Sequence, residues 1–227
     1  MILRKWDKLP PEMQIPEVKE YYDILQKRKA SLVLKRLFDI VVSSVLLVLL
    51  SPVFAVLAIA IKLDSKGPVF YRQTRVTRYG EEFRIFKFRS MVTDADKGSL
   101  LTVGGDSRIT KTGKFIRKYK LDEFSQLIDV FRGTMTFVGT RPEVPKYVKK
   151  YTPEMMATLL LPAGITSEAS VYYKDENELL DAAEDVEKTY LEVVLPDKMK
   201  YNLAAIRSFS FIDDTKVMIL TVLAVFR

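Results

Sequence analysis

Residues 40–61 read IVVSSVLLVLLSPVFAVLAIAI, an apolar run without one charge. As a helix rising about 1.5 Å per residue, it is long enough to cross a bilayer. It starts well inside the chain, exceeds a usual signal-peptide apolar region and lacks a small-residue cleavage site, so it is not read as a cleavable leader. Ser51 and Pro52 sit near its middle. Proline removes a backbone donor and clashes with an upstream carbonyl, which predicts a kink or break there. The Ser51 hydroxyl is suited to satisfying backbone groups freed by that break. Lys27, Arg28, Lys29, Lys35 and Arg36 precede the run, and Lys62, Lys66, Arg72, Arg75 and Arg78 follow it. The positive-inside tendency places both flanks on the cytoplasmic side. A helix that enters, bends at Ser51 and Pro52 and leaves by the same face satisfies both features. A proline-kinked single span is the alternative, and a buried helix of a soluble protein fits the length poorly.

The remaining pattern predicts an α+β, mostly helical chain. Residues 1–31 are polar and basic, and Tyr21, Tyr22, Ile24 and Leu25 suggest a short amphipathic helix lying on the membrane surface. Residues 68–91 alternate as a β-hairpin joined through Thr77, Arg78, Tyr79 and Gly80. The glycine-bearing stretch 94–114 reads as a loop. From Leu121, the spacing of Phe124, Leu127, Ile128 and Phe131 predicts a helix capped by Asp122 and followed by Gly133. MTFVG then reads as a buried strand, and a helix is expected from Arg141 and Pro142 to about Tyr151. Further helix starts are read at Thr152 and Pro153, at a capping box of Asp175 and Glu178, at Pro196, and at about Asp213 for a closing apolar helix. The economical division is a basic, amphipathic segment (1–33), a re-entrant membrane helix (34–64) and a catalytic unit (65–227), with a small hairpin and amphipathic helices packed at the membrane interface.

Composition narrows the chemistry. The 227 residues suffice for one good core. A net charge of +7 points to an anionic partner without choosing between nucleic acid, lipid and phosphorylated small molecules. The absence of cysteine excludes disulfides, iron–sulfur clusters and thiolate zinc sites. The absence of histidine removes the usual general base and nearly every transition-metal site. Catalysis must then rest on Asp, Glu, Lys, Arg or Tyr, with a hard ion such as magnesium.

The candidate cluster runs from Arg117 to Glu123 (RKYKLDE). A carboxylate can attack a phosphoryl group, its neighbour can hold magnesium, and arginine forks can offset the charge. Acidic residues are also favoured in any first helical turn, so Asp122 and Glu123 taken alone read first as a capping pair. Lys87 and Arg89 in KFRSM, Arg108 and Arg141 are further candidates, each alternatively a solvated surface charge. Alternation puts Lys87 on one face with Phe83 and Ile85, where a cation needs a partner such as phosphate.

These residues, in this order, resemble the bacterial sugar transferase family of small monotopic phosphoglycosyl transferases. The likeness runs from Leu34 to the C-terminus. It includes KRLFD (35–39), Ser51 and Pro52, GPVFYRQTR (67–75), KFRSM (87–91), DSRITKTGKFIRK (106–118), LDEFSQL (121–127) and VGTRP (138–142), with weaker echoes at 164–171 and 195–201. The resemblance implies transfer of a sugar 1-phosphate from a UDP-sugar to a membrane polyprenol phosphate, releasing UMP. It further implies Asp122 as the nucleophile carrying a covalent phosphosugar, Glu123 as a magnesium ligand, and Arg117 and Arg141 as phosphate contacts, with Lys87 matching the lysine of KFRSM; Lys87 and Arg89 join them as candidate phosphate-binding residues. It places a re-entrant helix, flanked by Lys35 and Arg36 and broken at Ser51 and Pro52, in the bacterial inner membrane, with chemistry on the cytoplasmic face. The sequence departs from the pattern at Thr77, Phe124, Ser125, Asp129, Thr134 and Thr140. No nucleic-acid motif is present, and the aromatics form no stacking platform. An inactive membrane-anchored scaffold and a polyanion-binding protein are the competing classes. Whether a second copy joins as a homodimer is open.

Overall fold

The computed structural model describes residues 1–93, 107–173 and 176–225. Among these the protein is mostly helical, with two small two-stranded sheets. The expected hairpin is formed by β1 (Phe70–Val76) and β2 (Glu82–Phe88), antiparallel with Phe70 opposite Phe88 and Val76 opposite Glu82. Its turn is sewn to the second sheet by Thr77, whose buried hydroxyl donates to Thr134 O at 2.6 Å and accepts from Ala163 N at 3.2 Å. The expected strand at MTFVG is β3 (Met135–Val138), which pairs in parallel with β4 (Ala163–Thr166). The sequence reading did not anticipate β4, because four residues carry too little alternation to register.

The N-terminal helix α1 (Pro16–Lys27) corrects one expectation. Its apolar face, Val18, Tyr21, Tyr22 and Leu25, is buried in a protein core with Ala157, Leu160, Leu203 and Ile206. Tyr21 also donates to Glu154 at 2.6 Å. That face is consumed by the protein and does not rest on lipid.

The long apolar run forms two helices, α2 (Lys29–Leu49) and α3 (Ser51–Asp64), bent by 60° at Leu50. Pro52 falls in the first turn of α3, where its missing N–H is no loss. Ser51 Oγ donates to Val48 O at 2.8 Å across the break. Neither helix alone is long and apolar enough to cross a membrane, although the bent pair together passes that test. Val45, Val48, Leu49, Val53 and Val56 around the bend are exposed.

Both outer ends of the pair dock on the same body. On α2, Lys35 Nζ donates to Val138 O at 2.6 Å and pairs with Asp214. Arg36 donates to Val130 O at 2.6 Å and Phe131 O at 2.8 Å. Asp39 accepts from Thr136 Oγ1 at 2.8 Å and Phe137 N at 3.2 Å. Lys35 and Arg36, read as flanking charges, are therefore tertiary struts. On α3, Leu57 and Ile61 are buried against Phe88 and Ile116.

The stretch read as a loop holds α4 (Lys111–Lys118), capped by Thr110 Oγ1 accepting from Gly113 N at 3.0 Å. Gly113 looked like a loop glycine but serves close approach, since a Cβ there would lie 1.9 Å from Ser90 O. Residues 94–106 of that loop lie outside the described residues, as does Asp175 of the expected capping box. After α5 (Leu127–Arg132) and Gly133, at φ 86°, the helix expected to reach Tyr151 is only α6 (Pro145–Val148). The start at Thr152 and Pro153 leads to a 3-10 segment, Met155–Leu160. Three short helices follow, α7 (Glu168–Tyr172), α8 (Glu176–Asp181) and α9 (Val186–Thr189). The expected helices at Pro196 and near Asp213 are α10 (Leu195–Arg207) and α11 (Phe211–Val225).

Candidate active site

Asp122 and Glu123 lie not on an α-helix but on a 3-10 segment, Leu121–Gln126. The residue at its cap position is Lys120, in the left-handed region at φ 52°, and no side chain caps the segment. The N-cap role expected of Asp122 is thus not the one it has. Lys120 turns the chain sharply after α4, and the charge of Arg117, in the last turn of α4, acts on Asp122. A non-glycine residue in this region costs of order 1 kcal/mol, tolerated where the surroundings over-determine it.

Two further elements close on Glu123. From β2, Lys87 Nζ reaches Glu123 Oε1 at 3.5 Å. From the segment after β3, Arg141 Nη1 reaches Oε2 at 3.4 Å and Nη2 meets Oε1 more closely. Arg141 is steered by the end of the parallel sheet, where Gly139 N donates to Thr166 O at 2.9 Å and Gly164 N to Thr140 O at 2.8 Å.

The adjacent carboxylates are electrostatically distinct. Burial alone would push Glu123 up, but Arg141 and Lys87 outweigh it and hold Glu123 at about 2. Asp122 moves the other way. Burial raises it above the ordinary aspartate value, reinforced by the Glu123 charge and opposed by Lys87 and Arg117. Among the described residues, no other residue donates a hydrogen bond to the Asp122 carboxylate. Burial depresses Lys87, partly countered by Glu123. The result is one firmly ionised carboxylate held by cations beside a more basic, unclamped one.

Of the residues singled out in the sequence, Lys87, Arg117, Asp122, Glu123 and Arg141 come together. Arg89 does not. It is 5% exposed, and its guanidinium donates to Lys66 O at 2.8 Å, Ser65 O at 2.6 Å and Ile61 O at 3.3 Å. These carbonyls end α3, so Arg89 braces a helix C-terminus. Gly67, at φ 129°, leaves it room: a Cβ there would lie 1.9 Å from Arg89 Nη1.

A supporting group was missed in the sequence. Arg75 donates to Pro142 O at 3.0 Å and to Gln73, and the buried Glu143 accepts from Tyr190 OH. Together they brace the backbone on either side of Pro142, next to Arg141. Only the GPVFYRQTR match pointed to Arg75, and nothing local pointed to Glu143 or Tyr190. Among the described residues, no group of three or more acidic side chains is placed to hold a metal ion.

Comparison with known proteins adds to this geometry. Residues 30–227 match the family model described as bacterial sugar transferase. The chain is similar to a UDP-glucose:undecaprenyl-phosphate glucose-1-phosphate transferase of Klebsiella pneumoniae, 37% identical over 85% of this chain and 40% of the relative. It is 32% identical to a UDP-N-acetylgalactosamine-undecaprenyl-phosphate N-acetylgalactosaminephosphotransferase of Aeromonas hydrophila, over 83% of this chain and 43% of the relative. A UDP-glucose:undecaprenyl-phosphate glucose-1-phosphate transferase of Caulobacter vibrioides is 32% identical over 83% of this chain and 68% of the relative. The chain thus spans about two fifths of the first two relatives.

Proposed function

The chain belongs to the bacterial sugar transferase family, and we propose that it moves a sugar 1-phosphate from a UDP-sugar to a membrane polyprenol phosphate. The observation that carries this reading is the division of labour between Asp122 and Glu123. Asp122 is the more basic carboxylate, and among the described residues no other residue's donor clamps it, as suits a nucleophile. Its oxygen attacks the sugar-bearing phosphorus, the bond to the bridging oxygen breaks, and UMP leaves with the electron pair. An oxygen of polyprenol phosphate then attacks the same phosphorus, the bond to Asp122 breaks, and the carboxylate is restored. Lys87, Arg117 and Arg141 offset the charge on the approaching diphosphate.

Glu123 fits a magnesium ion, because it stays ionised and such ions take one or two carboxylates plus substrate phosphates rather than an all-protein cage. When bound, the ion would neutralise phosphate charge. The bent pair α2 and α3 is read as re-entrant, with both ends on the cytoplasmic face of the inner membrane. Two facts support this: both ends dock on one body, and the apolar side chains at the bend are exposed.

The test is UMP release by purified protein from UDP-sugars with polyprenol phosphate and magnesium. Asp122→Asn should abolish release while preserving the fold. Wild-type activity in that variant would overturn the nucleophile assignment, and a screen over donors would identify the sugar.

A further inference from the structure

Outside the charged site, two side chains close on the backbone of Phe86. Strand β2 has β1 on one side and no third strand on the other among the described residues. Covered edge groups of a strand need partners. At Phe86 both are met by side chains of the stretch that carries Asp122 and Glu123. Phe86 N donates to Asp129 Oδ2 at 2.8 Å, and Ser125 Oγ donates to Phe86 O at 3.1 Å. Ser125 and Asp129 are 0% and 2% exposed.

The grip continues outward. Thr134 Oγ1 donates to Asp129 O at 3.1 Å, and Thr77 Oγ1 donates to Thr134 O at 2.6 Å. The guanidinium groups of Arg72 and Arg132 lie 3.4 and 5.2 Å from the Phe86 ring centroid, and their charges act on Asp129.

The consequence is geometric. Phe86 adjoins Lys87, and Ser125 is two residues from Glu123. Fixing both polar groups of the Phe86 peptide backbone to this stretch leaves little slack between Lys87 and the two carboxylates. We infer that Ser125 and Asp129 are positioning residues, which occupy the outer polar groups of Phe86 in the way a neighbouring strand would and set the spacing of Lys87 against Asp122 and Glu123. The inference rests on the transfer reading above for its effect on turnover, but not for the grip itself.

Three variants and two readouts test it. Ser125→Ala and Asp129→Ala should lower kcat for UMP release by roughly tenfold to a hundredfold with KM within about twofold, the scale expected of small misplacements. Asp129→Asn, which keeps an acceptor oxygen, should restore kcat, and the Phe86 amide should exchange faster in Asp129→Ala than in wild type. Wild-type kcat in Asp129→Ala, or equal impairment of Asp129→Asn, would overturn the role. If wild type releases no UMP from any donor, the transfer reading fails, and exchange alone decides the grip. Unchanged Phe86 exchange in Asp129→Ala would then overturn it.

Discussion

Arg141 meets Glu123 with both terminal guanidinium nitrogens, one on each carboxylate oxygen. Such a fork fixes orientation as well as charge, and lysine cannot reproduce it. Arg141→Lys should therefore lower kcat/KM by roughly tenfold to a hundredfold despite conserving charge, as read by UMP release. Full activity would reduce Arg141 to a point charge.

Asp129 makes a prediction about pH and stability. Its carboxyl ionises at about 6 in the fold, raised by burial, against 3.8 ordinarily. Between those values the folded protein retains a proton that the unfolded chain has lost, so this group's stabilisation is full below about 3.8 and is lost as pH rises through 6. Asp129→Asn should gain up to about 3 kcal/mol relative to wild type at pH 7.5, and the gain should vanish near pH 4. Urea titrations at the two pH values measure the difference. A pH-independent difference would contradict the assignment.

Glu123 runs in the opposite sense. Held at about 2 against an ordinary 4.5, it stabilises the fold above 4.5, and that contribution disappears as pH falls through 2. Glu123→Gln should flatten this acid limb in thermal melts. It should also remove the dependence of activity on magnesium by removing activity itself. A magnesium-dependent, active Glu123→Gln enzyme would exclude Glu123 as the ion's ligand.

Arg89 separates support from binding. Removing its guanidinium leaves the carbonyls of Lys66, Ser65 and Ile61 without this donor. Arg89→Ala should destabilise the protein by about 2–4 kcal/mol, with the donor KM unchanged in whatever fraction stays folded. A large rise in KM with normal stability would restore Arg89 to the phosphate site.

The chain has no cysteine, so single cysteines replacing Lys29 and Lys66 report topology cleanly. A re-entrant pair predicts modification of both from the same side of sealed vesicles. Modification of the two from opposite faces would establish a span.

Much of the architecture was legible locally. The break at Ser51 and Pro52, the hairpin around Tyr79 and Gly80, β3, and the helices opening near Pro196 and Asp213 all follow from contacts a few residues apart, where backbone sterics and apolar period decide the outcome. The family motifs also picked out Lys87, Arg117, Asp122, Glu123 and Arg141.

Tertiary structure decided the fate of each charge. Arg89 and Lys87 belong to one motif, yet one caps α3 and the other faces Glu123, 36 residues along the chain. Arg36 reaches Val130 across 94 residues. The apolar face of α1 could have met lipid or protein, and only the arrival of Ala157 and Leu203 made it protein. Asp122 looked like a cap until Lys120 took that position in a 3-10 segment. The physical reason is common to the first three. Periodicity is written in neighbouring residues, whereas the partner of a charge or an apolar face is supplied by groups that folding brings from elsewhere.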